Sequence, residues 1–153
     1  MWQLHFSFKF TARDTPQQNH LAEVAFATLC KRGLALMHAA HVPMSLLWHL
    51  SVKAFETATL LDGLVPVEVG GVSSSRYAHF YGHVPKYTSH LRTWGEAGTV
   101  KTKSKFSSKL SKQGTICMFV GYPSNHNGYC YEMWDPSTGG IHVTRDMLWL
   151  RWM

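Results

Sequence analysis

The chain has 153 residues, 45% of them hydrophobic and 13% aromatic, and a formal net charge of +6. That length suits one modest core or two small ones, and that composition excludes a disordered chain. Apolar runs are broken well before the ~18 residues of a membrane span, and the N-terminal MWQLHFSFKF has no small-residue cleavage site. A soluble protein with no secretory route and no membrane partner is expected.

The first structural signal is Thr15-Pro16-Gln17-Gln18. Thr15 suits an N-cap, Pro16 the first helical position and Gln18 the third residue of a capping box, so a helix is expected to begin here. Leu21, Val24, Ala25, Thr28 and Leu29 form its apolar stripe, with Asn19, Glu23, Phe26 and Cys30 opposite. Asn19 and Glu23 are four residues apart, so an amide and a carboxylate can converge on one polar site. A solvated first-turn glutamate, favoured by the helix dipole, is the plainer reading.

This helix is expected to end near Gly33, followed by a short helical piece from Leu34 to Ala40. Pro43 then opens a helix striped by Leu46, Leu47, Leu50, Ala54, Ala58 and Leu61, with Trp48 in the core and a stop at Asp62-Gly63 before Pro66. The Gly70-Gly71 pair, the Ser73-Ser74-Ser75 run and Pro85 mark residues 67–89 as a linker. Short strands follow at His90 to Trp94, Thr115 to Tyr122, Tyr129 to Trp134 and Ile141 to Leu150, with turns at 125–128 and 136–140, as in a small antiparallel barrel.

Charge is uneven. Residues 1–66 carry five Lys/Arg against four acids, and residues 67–153 carry ten against five. Between Glu96 and Glu132 there is no acid, while Lys101, Lys103, Lys105, Lys109 and Lys112 fall close together. Such a run attracts a polyanion without reading its sequence, or simply keeps a loop solvated. On an extended strand Lys101, Lys103 and Lys105 share one face, which also blocks edge-to-edge pairing. Cys30, Cys117 and Cys130 are too few and too widely spaced for a disulfide framework. His38-x-x-His41 and His79-x-x-x-His83 have ligand-like spacing, but no Cys-x-x-Cys accompanies them.

The string TPQQN with an acid four residues after the Asn resembles the integrase core of copia-type long-terminal-repeat retrotransposons, a ribonuclease H-like fold. HLRTWGEAG at 90–98, CMFVGYPSNHNGY at 117–129, YEMWDPSTG at 131–139 and TRDMLWL at 144–150 resemble the Src-homology-3-like barrel that follows that core. The resemblance implies an α+β chain: the helical end of the ribonuclease H-like core at 1–66, a linker at 67–89 and the barrel at 90–153. It further implies that Glu23 is the metal-binding catalytic carboxylate, supported by Asn19 and Gln18, and is the third member of an Asp-Asp-Glu set holding magnesium, or manganese as substitute. DNA is the implied partner and the nucleus the implied compartment.

Only 22 residues precede Glu23, and Asp14 among them matches neither catalytic Asp. One carboxylate does not hold two metal ions, so this chain is not expected to bind the metal or to catalyse strand transfer alone. It also departs from the common pattern, with His20 in place of Gly, and Val24, Ala25, Phe26 and Ala27 where basic residues would contact phosphates. Two other readings stand beside the integrase fragment. One is a basic module that binds nucleic acid or protein, its helices docking on the remaining core or on a second copy through an exposed Leu21, Val24, Ala25, Leu29 stripe. The other is a decayed transposon copy without activity.

Overall fold

The computed structural model describes residues 19–101, 114–123 and 129–150. Helix α1 spans His20–Ala39; its expected entry at Thr15 to Gln18 lies outside the described residues. Asn19, at the N-terminal flank, makes no side-chain cap. The helix does not break at Gly33. That glycine is buried in its middle because the Phe55 ring of the next helix lies where a side chain would go: an added Cβ would come 2.1 Å from Phe55 Cδ1. Glycine is poor in a helix but permits this approach.

The expected apolar stripe of α1 is largely uncovered. Leu21, Val24, Ala25 and Thr28 are exposed, and Leu29 is the first of the five to be half-buried. His41, at φ 52, reverses the chain, and Pro43 leads through one 3-10 turn, Met44–Leu46, into α2, Leu47–Asp62. Leu50, Ala54 and Ala58 of the expected stripe are buried, with Thr57 beside them, while Leu46, Leu47 and Leu61 are half-buried. Trp48 is not in the core. It sits about 100° around the helix from Leu47 and is 87% exposed.

Residues 67–89, read as a linker, carry regular structure. Strands β1 (Pro66–Val69) and β2 (Val72–Ser75) form an antiparallel hairpin. Gly70 and Gly71 both have positive φ, 60° and 79°, as a two-residue I′ turn requires. Ser75 Oγ caps the short helix α3, Arg76–Tyr81, by accepting from Ala78 N at 3.1 Å. Arg76 pairs with Asp62 at the end of α2, and Tyr77 N donates to Gly63 O at 2.8 Å. A 3-10 turn follows at Lys86–His90.

Five strands form the second sheet: β3 (Ala97–Lys101), β4 (Gly114–Gly121), β5 (Tyr131–Trp134), β6 (Ile141–Thr144) and β7 (Met147–Trp149), antiparallel in the order β6-β5-β4-β3-β7. The expected strand at His90 to Trp94 is the end of the Lys86–His90 3-10 turn followed by irregular backbone, and the first strand of this sheet begins later, at Ala97. The expected strand over 141–150 is two strands. Thr144 Oγ1 accepts from Asp146 N at 3.1 Å, forming the turn that splits them. β6 and β7 lie at opposite ends of the strand order, yet three Cα steps, about 11 Å, join them. The sheet must therefore coil until its edges meet, which makes it a small barrel.

Val100, Cys117, Phe119, Tyr131 and Met133 fill the barrel, flanked by Tyr122, Met147 and Trp149. The Phe119 ring meets Tyr122, Tyr131 and Trp149 with centroids 5.0, 5.8 and 6.0 Å away. Gly98 lies where an added Cβ would approach Met133 Cε to 3.3 Å and Trp149 Cε3 to 3.4 Å.

Strand β4 is buried on both sides. Its other face joins Met37, Leu50, Ala54, Trp94 and Val120 into a second cluster, which binds the helices to the barrel. An irregularity between Phe119 and Gly121 leaves Val120 outside the regular β4–β5 pairing, and its carbonyl accepts from Trp94 Nε1 at 2.8 Å and Thr57 Oγ1 at 3.3 Å. Lys53 of α2 reaches across to Glu132 of β5, its Nζ 3.0 Å from Oε2 and 3.2 Å from Oε1.

The Trp134-Asp135-Pro136 corner has its own lock. Asp135 Oδ1 accepts from Ser137 Oγ at 2.7 Å and Ser137 N at 2.8 Å, and Oδ2 accepts from Thr138 Oγ1 at 3.1 Å. The Ser137 bonds lead in lowering the Asp135 pKa from 3.8 to about 2. A lowered carboxylate pKa adds stability above the unfolded value and loses it as pH falls through the folded one. Acid unfolding of the wild type is thus expected to steepen between 3.8 and about 2, and Asp135→Asn to flatten that window. Identical acid curves would remove Asp135 from the pH response.

Candidate functional site

Two groups of residues carry the sequence-level expectations. Asn19 and Glu23 stand at the start of α1, both exposed, and Gln18 lies outside the described residues. Among the described residues no group of three or more His, Cys, Asp or Glu side chains is placed to hold a metal ion, and this includes the surroundings of Glu23. Among the described residues, the donors around Glu23 are too few for a pair of divalent cations. The His38/His41 and His79/His83 spacings form no such group either.

Lys101 ends β3, exposed, paired with Gly114 across the ladder. Lys103, Lys105, Lys109 and Lys112 lie in 102–113, outside the described residues. Beside Lys101 a groove of about 390 Å³ is lined by Thr99, Gly114, Asp146, Met147 and Leu148, the last 75% exposed. A cation and a carboxylate rim an apolar floor there, with Lys101 N donating to Asp146 O at 3.4 Å.

The strings singled out in the sequence converge in space. His90 O accepts from Tyr122 OH and Tyr131 OH, each at 3.4 Å, and Arg92 N donates to Tyr122 OH at 2.7 Å. Burial pushes the Tyr122 phenol up to about 12, so it remains a neutral donor and acceptor. The Arg92 guanidinium lies 4.7 Å over the Trp149 ring and 3.7 Å from Glu96. HLRTWG, FVGY, YEMW and MLWL are thus four walls of one scaffold, with Arg92, ahead of the barrel's first strand, resting on Trp149 of its last.

Residues 97–150 match the retroviral polymerase SH3-like domain. This SH3-like domain takes in β3 through β7, roughly a third of the chain. The match supports a fragment of a retroelement polymerase or integrase. No curated protein and no solved structure matches the chain. Helices α1 and α2 and the hairpin lie outside the matched residues, and the two helices, with Trp94, pack against the SH3-like domain at Val120 and Glu132.

Among the described residues no helix is long and apolar enough to cross a membrane. Cys30, Cys117 and Cys130 are free, with Cys117 buried in the barrel.

Proposed function

We propose that this chain is the C-terminal part of a copia-type integrase, the end of a ribonuclease H-like core followed by its SH3-like barrel, and that it contacts DNA through the lysine run beginning at Lys101. The observation that carries this reading is the match of residues 97–150 to the retroviral polymerase SH3-like domain, downstream of TPQQN and Glu23 in the order of such a polyprotein. The basic excess of residues 67–153 supports an electrostatic, sequence-independent contact. In a whole enzyme Glu23 would be the third metal-binding carboxylate, with magnesium or manganese supplied to two further acids, and the nucleus would be the place of work. Here, Glu23 stands without such partners among the described residues, so DNA contact rather than strand transfer is the activity proposed for the chain itself.

Replacing Lys101, Lys103 and Lys105 by Ser tests this contact. The slope of log affinity for duplex DNA against log salt is expected to flatten by roughly 0.9 for each phosphate that is no longer neutralised. An unchanged slope would take the run out of the interface.

A further inference from the structure

Helix α3 carries Tyr77, Phe80 and Tyr81 at the i, i+3, i+4 spacing that ordinarily turns one face toward a core. None of its residues is buried, and Phe80 and Tyr81 are 65% and 57% exposed. α3 rests against the β1–β2 hairpin, and its rings gather on one another. Tyr77 and Tyr81 lie 4.4 Å apart, Phe80 and Tyr81 4.8 Å edge to face, and Tyr77 and Tyr87 6.2 Å apart. Tyr87 in turn stacks on Tyr122, 6.2 Å away, which fastens this ledge to the barrel. Burial and the nearby phenols of Tyr77 and Tyr81 raise the Tyr87 pKa.

Along the chain, the charge around these rings leans basic. From residue 69 to residue 95 there is no Asp or Glu, while Arg76, Lys86 and Arg92 fall in that span with His79, His83 and His90. Of the acids bordering that span, Glu68 lies on β1 and Glu96 pairs with Arg92, while Asp62, farther back, pairs with Arg32 and Arg76. Exposed rings on a stretch that carries more basic than acidic residues suit a polyanion that also presents flat π-faces. An apolar protein surface would use the rings but not the charge. In a paired duplex those faces are covered by neighbouring bases, so the ledge fits unpaired ones.

We infer that the Tyr77, Phe80, Tyr81 ledge is a stacking surface for unpaired nucleobases, which takes single-stranded nucleic acid or the frayed end of a duplex. The inference rests on the proposed nucleic-acid role and specifies a second contact, separate from the lysine run.

The test is anisotropy of the full chain with three labelled probes of equal length: a single strand, a blunt duplex and an abasic strand. Phe80→Ala/Tyr81→Ala is expected to weaken single-strand binding at least about 10-fold and to leave duplex binding unchanged. Phe80→Trp/Tyr81→Trp should restore it, and the abasic strand should bind as weakly as the alanine variant binds the normal strand. Both residues are exposed, so circular dichroism should show each variant folded. Single-strand affinity unchanged in the alanine variant, or an abasic strand bound as well as a normal one, would overturn the inference while leaving lysine-dependent duplex binding intact. Loss of self-association on sedimentation without any change in single-strand affinity would make the ledge a contact between copies and overturn it too. Failure of all three probes to bind at low salt would overturn this inference and the proposed DNA contact together.

Discussion

Trp94→Ala is expected to lower the unfolding free energy by about 3–5 kcal/mol, measured by urea denaturation followed by circular dichroism. Trp94 is 4% exposed and sits in one cluster with Met37 of α1, Leu50 and Ala54 of α2 and Val120 of β4. Its removal opens a cavity where helices meet barrel and takes away the closer of the two donors to the Val120 carbonyl. Against a total of about 5–15 kcal/mol for a typical domain, that is a large fraction. Trp94→Phe keeps most of the ring and should lose about 1 kcal/mol for the hydrogen bond, plus a small packing loss. A loss under about 1 kcal/mol for the alanine variant would mean that this ring does not join the helices to the barrel.

Lys53→Met should cost about 2 kcal/mol, because it leaves Glu132 beneath α2 without its cation. The general range for breaking a buried pair is about 3–5 kcal/mol, and the lower figure reflects partial exposure. The Lys53 side chain is 23% exposed and that of Glu132 12%. Gly121 makes the close approach possible, since a Cβ there would lie 3.1 Å from Glu132 Oε2. Burial alone would lower the Lys53 pKa, but hydrogen bonds to Glu56 and Glu132 outweigh it and raise the value above 10.5. With a raised lysine pKa the stabilisation is complete below 10.5 and is lost only as pH rises through the folded value. Stability should therefore not change across neutral pH on account of this pair. Lys53→Met combined with Glu132→Gln removes both charges and should recover part of the loss in a double-mutant cycle. Equal losses in the single and double variants would exclude a stranded Glu132 as the cause.

Much of the architecture is legible in residue pattern, and the exceptions share a cause. The α2 stripe and its Asp62-Gly63 stop follow from helical periodicity, and β4 and β5 from apolar runs bounded by turn residues. Gly33 reads as a helix end because glycine is a poor helix former, and only the Phe55 ring on the partner helix explains why the helix continues. Gly70-Gly71 with its serines reads as flexible, although a Gly-Gly pair between valines is also a hairpin turn. Ala97-Gly98 has low strand propensity, and β3 forms because β4 and β7 pair on either side of it. Trp48 lies beside the apolar stripe of α2, and periodicity does not tell a flanking aromatic from a core one.

The candidate site was less legible. Glu23 is exposed in the first turn of α1 and Asn19 stands just before that helix, but what a carboxylate does depends on neighbours that sequence does not place. The lysine run declares itself by charge alone. The α3 ledge carried two signals, helical spacing of Tyr77, Phe80 and Tyr81 and an acid-free span from 69 to 95, both concealed by reading that stretch as a linker.

The measurement that bears most directly on a DNA-contacting SH3-like fragment is binding of the whole chain to a random-sequence duplex by fluorescence anisotropy across a salt series, in magnesium and in chelator. Tight binding at low salt that falls linearly in log affinity against log salt, and that magnesium does not alter, is the expected result. No binding at low salt would contradict the proposed DNA contact.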